Sequence, residues 1–535
     1  MQRIGKRWNF CFEIISALLV IFFASALLYS ATDDALVVAT SAGRIRGVSR
    51  PAGGAQFLGI RFAQPPVGKL RWHEPVDVEP WTDVRDASTF GAPCAQPVLG
   101  DWNKHDAEAS KEDCLFLNVS TSVWPPKSKL PVMVWLHGGA NAGGTGAGPL
   151  YNSGTLTQHG VVLVTVNYRL GVFGFFAHPR LTSESEHKSS GNYGLMDQIA
   201  ALRWVKKNIA NFGGDPANIT VFGQSAGAQD TSVLMTSPLA KNLFQRAIVE
   251  SGSALMVPVS PLAAAENAGE TLAAKLKAPQ DAAAVAYLRG LPPSKLIEAA
   301  LQQDPAAPPA LGPIVDGYVL TQSPIEVFSE GREAPIPLLF GSTTREFGFS
   351  GPLDALRQFV QQFSGSLAPR ALALYGLANG GTGTDDPMYG SVGNQWMADQ
   401  IFRCPLITQA VYHHSYPVYE YQLEHAIPGQ EKDGAVHSAD LPYVFGYYPK
   451  TGNIAGPFGE VDFKISDFVQ RYWTNFAKTG NPNGASLPHW PEFGNSQNYI
   501  SITQDGKIVV NSGGLRRQQC DLGREILEGR RPSHH

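Results

Sequence analysis

Three short, continuously apolar runs constrain the fold of this chain more than any other feature of its sequence. They lie at residues 132–136, 161–166 and 219–222, and each ends at a glycine or a polar loop. Apolar runs without alternation predict strands buried on both faces, as in a parallel sheet covered by helices. Between the last two runs, apolar residues recur at helical spacing over residues 195–211. The order strand, helix, strand predicts an α/β fold with a largely parallel central sheet flanked by helices.

Further runs extend this pattern toward both ends of the chain. Residues 37–59 alternate with glycine turns and predict a β-rich start, and residues 338–341 and 418–423 predict later strands. Residues 258–309 are rich in alanine, with leucine and lysine at helical spacing and proline breaks. We predict helices there, inserted over the sheet, and the sequence leaves open whether they form a lid or plain surface packing. No internal repeat or interdomain linker is present, which favours one domain.

The composition excludes one class of partner. Of the 535 residues, 43% are hydrophobic and 16% are charged, which allows a large buried core and argues against disorder. The formal net charge is only −4. Because the sequence has no basic stripe, we expect no nucleic-acid partner.

The N-terminus has the pattern of an export signal. Lys6 and Arg7 precede an apolar run over residues 14–29, and Ala24-Ser25-Ala26 offers small residues for cleavage. We predict a signal peptide over residues 1–31, cleaved between 26 and 31, with an uncleaved anchor as the alternative. Either way the body of the protein leaves the cytosol. The expected location is secreted or periplasmic, with no stable membrane span after cleavage.

The cysteines fit an oxidising compartment. Of the five, Cys11 lies in the predicted leader, which leaves Cys94, Cys114, Cys404 and Cys520 with three possible pairings. Export predicts disulfides, with free buried thiols as the alternative. No Cys-x-x-Cys motif or His/Cys cluster predicts a metal site.

The pattern Gly223-Gln224-Ser225-Ala226-Gly227 is the first chemical signal in the sequence. It follows the apolar run at 219–222 and precedes a predicted helix at 228–235. This context is typical of a nucleophile elbow, in which a serine occupies a tight turn from strand to helix and small neighbours relieve crowding. Alone, the five-residue pattern also arises by chance, so its context carries the prediction.

A nucleophilic serine also needs a base and donors for an oxyanion. The loop His137-Gly138-Gly139-Ala140 follows the predicted strand at 132–136, where a hydrolase of this architecture supplies part of an oxyanion hole. The amide of the residue after the nucleophile supplies the other part. A bare tight turn is the alternative interpretation of the glycine loop.

Longer motifs resemble one known family. They include EDCLFLNV at 112–119, NYRLG at 167–171, GNYGLMDQ at 191–198 and FGGDP at 212–216. Together with the elbow, they make the chain similar to the type-B carboxylesterase/cholinesterase family from about residue 37 to residue 520. The resemblance implies an α/β-hydrolase fold, one catalytic domain over residues 32–535 with helical insertions over the active site, and no cofactor.

The resemblance also selects the base and the acid of a catalytic triad. On chemistry alone, any of the thirteen histidines could be the base. The family places its base before a run like HSADLPYVFG at 437–446, which implies His437. Its acid follows a strand, which implies Glu346, although Arg345 and Phe347 depart from the usual neighbours. Glu333, which precedes that strand, is the nearest rival. The order Ser225, Glu346, His437 is that of α/β-hydrolases.

Further roles are implied by matching the family residue by residue. Ser251 matches a serine that lies behind the triad. The implied oxyanion donors are the amides of Gly139, Ala140 and Ala226. The resemblance also implies an ion pair of Arg71 with Glu112. The implied disulfides join Cys94 to Cys114 and Cys404 to Cys520.

Gln224 departs from the family, which usually has glutamate before the nucleophile. In one interpretation the position tolerates either residue. In the other, a negative charge near the catalytic imidazolium is lost, which weakens attraction for cationic substrates. Trp102 resembles an aromatic that cholinesterases place against choline, but its loop length differs. We therefore do not predict a cholinesterase.

The predicted activity is hydrolysis of small carboxylic esters. His437 takes the Ser225 proton as Ser225 attacks the ester carbonyl, Glu346 orients His437, and water then releases the acid from an acyl-enzyme. One alternative is a non-catalytic cholinesterase-like binding or adhesion protein. Another is a narrow-specificity esterase acting on a toxin, xenobiotic or phenolic ester. The physiological ester and the oligomeric state are not predicted.

Overall fold

The computed structural model describes residues 36–50, 53–302, 311–413 and 415–530. The predicted leader at residues 1–31 lies outside the described residues. The strands are β1 (Val37–Ala39), β2 (Arg44–Arg46), β3 (Val48–Ser49), β4 (Ala55–Arg61), β5 (Val84–Asp86), β6 (Phe116–Thr121), β7 (Leu130–Leu136), β8 (Val162–Val166), β9 (Gly214–Gln224), β10 (Arg246–Glu250), β11 (Ser260–Pro261), β12 (Ile314–Val315), β13 (Leu338–Thr343), β14 (Val418–Leu423), β15 (Tyr499–Ile502) and β16 (Ile508–Asn511).

A central sheet organises these strands. Within the described residues it has eleven strands in the order β16-β15-β14-β13-β10-β9-β7-β8-β6-β4-β3. The block from β15 to β8 is parallel, whereas β16 and the strands from β6 outward pair antiparallel. The predicted α/β architecture is confirmed. The β-rich start is divided, because β1 and β2 join β5 in a separate three-stranded sheet.

Strand β7 shows why its residues are apolar without alternation. Val132, Val134 and Leu136 are buried in the large core on one face of the sheet. Met133 and Trp135, which point the opposite way along the strand, are buried in a second core on the other face. Both faces are therefore covered, as a continuous apolar run predicts.

The covering helices are α1 (Lys104–Ala109), α2 (Pro149–Asn152), α3 (Gly171–Phe175), α4 (Pro179–Glu184), α5 (Tyr193–Asn208), α6 (Ala226–Leu234), α7 (Leu262–Lys275), α8 (Ala284–Gly290), α9 (Pro293–Leu301), α10 (Pro324–Ser329), α11 (Leu353–Ser364), α12 (Ala368–Leu374), α13 (Val392–Met397), α14 (Cys404–Tyr412), α15 (Leu441–Phe445), α16 (Glu460–Thr479) and α17 (Arg517–Gly529). A π-helical turn, Ala398–Arg403, joins α13 to α14. Helix α5 covers the periodic segment that links β8 to β9.

The inserted helices predicted over residues 258–309 are α7, α8 and α9. Leu272, Leu288 and Leu296, one from each helix, are buried in the large core, so this insertion contributes to the core on one side of the sheet. Arg71 ties it to the N-terminal region. Its guanidinium forms an ion pair with Glu112 at 2.6 Å and also donates to the carbonyl of Leu288 at the end of α8.

Two disulfides hold peripheral segments to this body. The structure joins Cys94 to Cys114 and Cys404 to Cys520, the pairings that the resemblance implies. The second bond fixes α17 to the start of α14. In the described part of the chain no helix is both long and apolar enough to cross a membrane, and no group of three or more His, Cys, Asp or Glu side chains is arranged to hold a metal ion.

Candidate active site

Ser225 occupies the turn between β9 and α6. Its backbone has φ 58° and ψ −124°, a conformation that costs an L-residue about 1–3 kcal/mol. The surrounding structure holds it there, since the Ser225 amide donates to the carbonyl of Glu250 on β10 at 2.8 Å. The sharp turn leaves the serine partly exposed at the carboxyl end of a central strand, as expected for a nucleophile elbow.

Two glycines around Ser225 allow close approach of the backbone. A Cβ at Gly227 would lie 2.0 Å from the carbonyl oxygen of Leu136, so no other residue fits at that position. A Cβ at Gly138 would lie 3.0 Å from the Cβ of Ser225 and 2.7 Å from the carbonyl oxygen of Gln224. The loop after β7 therefore packs directly against the elbow, and the small residues in both sequence motifs have a steric cause.

The loop after β7 presents unused backbone donors beside the serine. Gly139 and Ala140 both have positive φ, 110° and 57°. Within the described residues, the amides of Gly139, Ala140 and Ala226 donate to no protein acceptor. Three free amides on the loop and at the start of α6 are the donor type that an oxyanion hole requires.

His437 and Glu346 form a buried pair. His437 lies in the loop before α15, and its Nδ1 is 2.6 Å from Oε2 of Glu346, which follows β13. The backbone adds a second link, since the His437 amide donates to the Glu346 carbonyl at 3.0 Å. The Glu346 side chain is completely buried, and 9% of the His437 side chain is exposed. This pairing leaves Nε2 of His437 as the ring nitrogen that Glu346 does not engage.

Hydrogen bonds keep Glu346 ionised despite its burial. Its Oε1 accepts from the hydroxyl of Ser251 at 2.6 Å and from the amide of Thr343 at 2.8 Å. Burial alone would raise the pKa of Glu346, but the bond and charge of His437, with the bonds from Ser251 and Thr343, outweigh it and lower that pKa. Glu346 therefore remains a carboxylate that can orient His437 and stabilise its charged form.

Two other carboxyls behind the site are pushed toward their neutral forms. Burial, followed by the charge of Glu346, raises the pKa of Asp440 to about 6. Burial, followed by the charge of Asp440, raises the pKa of Glu250 well above its ordinary value. Tyr421 donates to Asp440 at 2.9 Å and Trp473 donates to Glu250 at 2.6 Å. Of these three buried acids, only Glu346 is stabilised as an anion.

The rival acid Glu333 has a different partner. Its Oε1 lies 2.6 Å from Nδ1 of His413, whose Nε2 lies 2.7 Å from the carbonyl oxygen of Ile336. Both ring nitrogens of His413 are therefore occupied. The structure brings Glu346 to His437 and does not bring Glu333 there.

Gln224 makes a contact that sequence reasoning missed. Its side-chain nitrogen lies 3.2 Å from Nε2 of His437, across 213 positions of sequence. With Nδ1–H directed at Glu346, Nε2 is an acceptor and the Gln224 amide donates to it. Within the described residues, the Ser225 hydroxyl has no hydrogen-bond partner. The sequence marked Gln224 as a departure from the family pattern, but only the fold shows that its side-chain amide lies against Nε2 of His437.

Apolar groups border the site on two sides. The Phe347 ring lies 4.3 Å and the Phe402 ring 5.1 Å from the His437 ring, measured between centroids. On the side of the glycine loop, Cη2 of Trp102 lies 3.1 Å from the position of a Cβ on Gly139. Phe347 and Trp102 are about half exposed. No sequence signal pointed to Phe402, because its approach to His437 depends on the π-helical turn.

Comparison with known proteins places this geometry in context. A profile described as "Carboxylesterase family" matches residues 34–522. The chain is 35% identical over 479 residues to a fumonisin B1 esterase of Sphingopyxis macrogoltabida, covering 86% of this chain and 85% of that protein. It is 34% identical over 518 residues to a liver carboxylesterase of Sus scrofa, covering 87% and 89%. A solved structure titled PNB esterase aligns with a TM-score of 0.76 at 32% identity, covering 91% of this chain and all of that one.

Proposed function

The chain belongs to the carboxylesterase family and hydrolyses carboxylic esters, and on that premise we propose that Ser225, His437 and Glu346 perform the reaction. The observation that carries the proposal is the contact of the Gln224 side chain with Nε2 of His437. It places Nε2 of His437, the ring nitrogen not bound to Glu346, beside the residue that precedes Ser225.

In the proposed acylation, Nε2 of His437 exchanges the Gln224 amide for the Ser225 hydroxyl and takes its proton. Ser225 Oγ then attacks the ester carbonyl. Glu346 holds the imidazole in the required tautomer and stabilises the imidazolium that forms. Such contacts tighten when substrate is bound, so the resting bond to Gln224 is compatible with this step.

The developing oxyanion is received by the amides of Gly139, Ala140 and Ala226. Because these donors are already free and fixed by the backbone, little reorganisation is needed as charge develops. His437 then returns its proton to the departing alcohol. Water attacks the acyl-enzyme by the same route, with His437 again as base, and the acid is released.

We propose that the preferred alcohols are neutral. Gln224 supplies no negative charge beside His437, and Phe347, Phe402 and Trp102 offer apolar surface. A narrower specificity is a second candidate, because one relative bears the name fumonisin B1 esterase. A panel of p-nitrophenyl, aliphatic, choline and fumonisin B1 esters ranks these possibilities by kcat/KM.

We propose that the enzyme acts outside the cytosol. The two disulfides favour an oxidising compartment, and the sequence of residues 1–31 predicts an export signal. N-terminal sequencing of the protein expressed with this leader, together with non-reducing peptide mapping, tests the proposal. Recovery of reduced, uncleaved protein only in the cytosol would contradict it.

Replacing Ser225 by alanine tests the nucleophile. We expect turnover of p-nitrophenyl acetate to fall by a factor of about 10⁴ or more. Phenylmethylsulfonyl fluoride should modify the wild type at one site, recovered by mass spectrometry in the peptide that contains Ser225. Ser232→Ala, which removes an unpartnered buried hydroxyl from the same helix, is the matched control and should keep wild-type activity. An active, unlabelled Ser225→Ala protein would refute the assignment.

A further inference from the structure

We propose that Asp230 is a positioning residue for the oxyanion hole, holding the Asn141 side chain and thereby the loop that carries Gly139 and Ala140. The proposal rests on the proposed function, since it assigns these amides to the oxyanion. It gives a role to a fully buried acid that the triad mechanism does not use.

The contacts connect α6 to the glycine loop directly. Asp230 lies on α6, five positions after Ser225, and is completely buried. The Asn141 amide donates to its Oδ1 at 2.9 Å, and the Gln198 amide of α5 donates to its Oδ2 at 2.6 Å. Asn141 follows Ala140 immediately, so its side chain fixes the end of the donor-bearing segment to the same helix that begins at the nucleophile.

The loop needs such a restraint because its backbone is unusual. Gly139, Ala140 and Asn141 are three consecutive residues with positive φ, the last at 54°. For the two L-residues this conformation has an energetic cost, which persists only where neighbouring contacts determine it. The Asn141 carbonyl accepts from the Gly171 amide at 2.6 Å, and the bond to Asp230 holds its side chain. Backbone and side chain of Asn141 are thus fixed independently.

Stability alone does not favour a carboxylate at this position. A buried charge is costly unless it is paired, and the two groups that donate to Asp230 are neutral amides. Neither Asn141 Oδ1 nor Gln198 Oε1 has a partner within the described residues, so both amides use their donors on this carboxylate. An ionised acceptor makes stronger and shorter hydrogen bonds than a neutral one, which suits a group that must hold a strained loop.

The same carboxyl titrates in the neutral range. Burial raises the pKa of Asp230 to about 7, against the opposing effect of the bonds from Asn141 and Gln198. Above that pH the carboxylate accepts both amides. Below it, the proton occupies one oxygen, that oxygen loses acceptor strength, and the restraint on Asn141 weakens. The oxyanion loop is therefore held most firmly at neutral to alkaline pH.

Other titratable groups near this cluster do not reproduce that behaviour. Burial lowers the pKa of His137 to about 4, and its ring stacks on Tyr168, whose hydroxyl donates to the His137 carbonyl. Burial, followed by the charge of Asp230, raises the pKa of Tyr168. Next along α5, Asp197 is paired with Arg169. On the adjoining strand β10, Glu250 is pushed toward its neutral form.

Asp230→Asn is the direct test, because it keeps the shape and removes the charge. With p-nitrophenyl acetate we expect kcat and kcat/KM to fall together, by about 10- to 100-fold, as for loss of an interaction made in the transition state. The decline of activity on the acid side should become shallower than in the wild type, because one titrating group is gone. The melting temperature at pH 8 should not fall, because a buried charge has been removed.

Asn141→Gly is the matching variant at the other end of the bond. Glycine accepts the positive φ, so the variant removes the amide without adding backbone strain. It should reproduce the loss in kcat. Because the two changes break the same bond, kcat of the double variant should be no lower than kcat of the less active single variant. Gln198→Met removes only the second donor, and should move the acid-side decline to higher pH while the Asn141 bond persists.

Active-site labelling separates this inference from the proposed function. If Ser225→Ala stays active, the nucleophile assignment fails. If Ser225→Ala is inactive while Asp230→Asn keeps kcat within twofold and the wild-type pH profile, only the role of Asp230 is overturned. Should Asp230→Asn fail to fold, Asn141→Gly decides. Unchanged kcat in that variant would overturn the inference, and a drop of about tenfold or more, with full labelling, would support it.

Discussion

In the described part of the chain, two histidines contact a glutamate through Nδ1 at the same distance, 2.6 Å: His413, which is buried, and His437, whose side chain is 9% exposed. In the pair of His413 and Glu333, the other ring nitrogen is closed off by the carbonyl of Ile336. In the pair of His437 and Glu346, that nitrogen lies 3.2 Å from the side-chain nitrogen of Gln224, the residue before the proposed nucleophile. A histidine–acid pair is therefore insufficient to identify a catalytic base, and the surroundings of the second nitrogen distinguish the two.

The largest expected difference between the pairs is catalytic. Glu346→Gln should lower kcat for p-nitrophenyl acetate by about 10³- to 10⁴-fold, because the amide no longer fixes the tautomer or stabilises the imidazolium. Glu333→Gln, the same chemical change in the other pair, should leave kcat within about twofold. Steady-state kinetics on both purified variants makes the comparison. A similar loss of kcat in the two would mean that the pairs are not functionally distinct.

The second difference is in stability. Glu333→Gln weakens a charge-assisted bond in a site whose side chains are almost fully buried, and should lower the free energy of unfolding by about 1.5–3 kcal/mol. Urea titration followed by tryptophan fluorescence measures this change. The same midpoint measured on refolding establishes that the transition is an equilibrium. An unchanged urea midpoint with a large loss of activity would reverse the roles assigned to the two pairs.

The two halves of the site differ in how far the sequence alone predicted them. The strands and the elbow are determined locally: apolar residues cover both faces of β7, and Gly227 cannot be larger beside Leu136. Composition and spacing therefore carried that prediction. His437 came only from the family resemblance, because its partner is 91 positions away. No local pattern contains such a pairing.

Departures from the family pattern became interpretable only in the fold. The Arg345 side chain donates to the carbonyls of Pro387, Met388 and Lys432 and not to Glu346, so it leaves the bond between Glu346 and His437 undisturbed. Phe347 instead packs on His437. Adjacent residues thus have unrelated roles, and the identity of neither predicts its direction.

Gln224→Glu tests what the Gln224 side chain does at Nε2 of His437. A carboxylate cannot donate to a neutral imidazole and favours its charged form. We expect the pH of half-maximal kcat/KM on the acid side to rise by about one unit, equivalent to about 1.4 kcal/mol. Turnover of acetylcholine relative to its uncharged analogue 3,3-dimethylbutyl acetate should rise by about tenfold. Gln224→Met, which is neutral and cannot donate, is the control. If Gln224→Glu and Gln224→Met gave the same pH profile of kcat/KM, charge at this position would be unimportant.

The smallest expected effect distinguishes how Glu346 contributes to stability. Its pKa is lowered in the folded protein, so the folded state binds its proton more weakly than the unfolded state does. The resulting stabilisation is present above the pKa of an unfolded glutamate and is lost as pH falls through the folded value. The difference in unfolding free energy between wild type and Glu346→Gln should therefore shrink as pH falls below about 4.3. Urea midpoints at pH 7, 5 and 3.5 measure it. A difference that grows toward acid pH would mean that burial, and not the bonds from His437, Ser251 and Thr343, dominates the ionisation of Glu346.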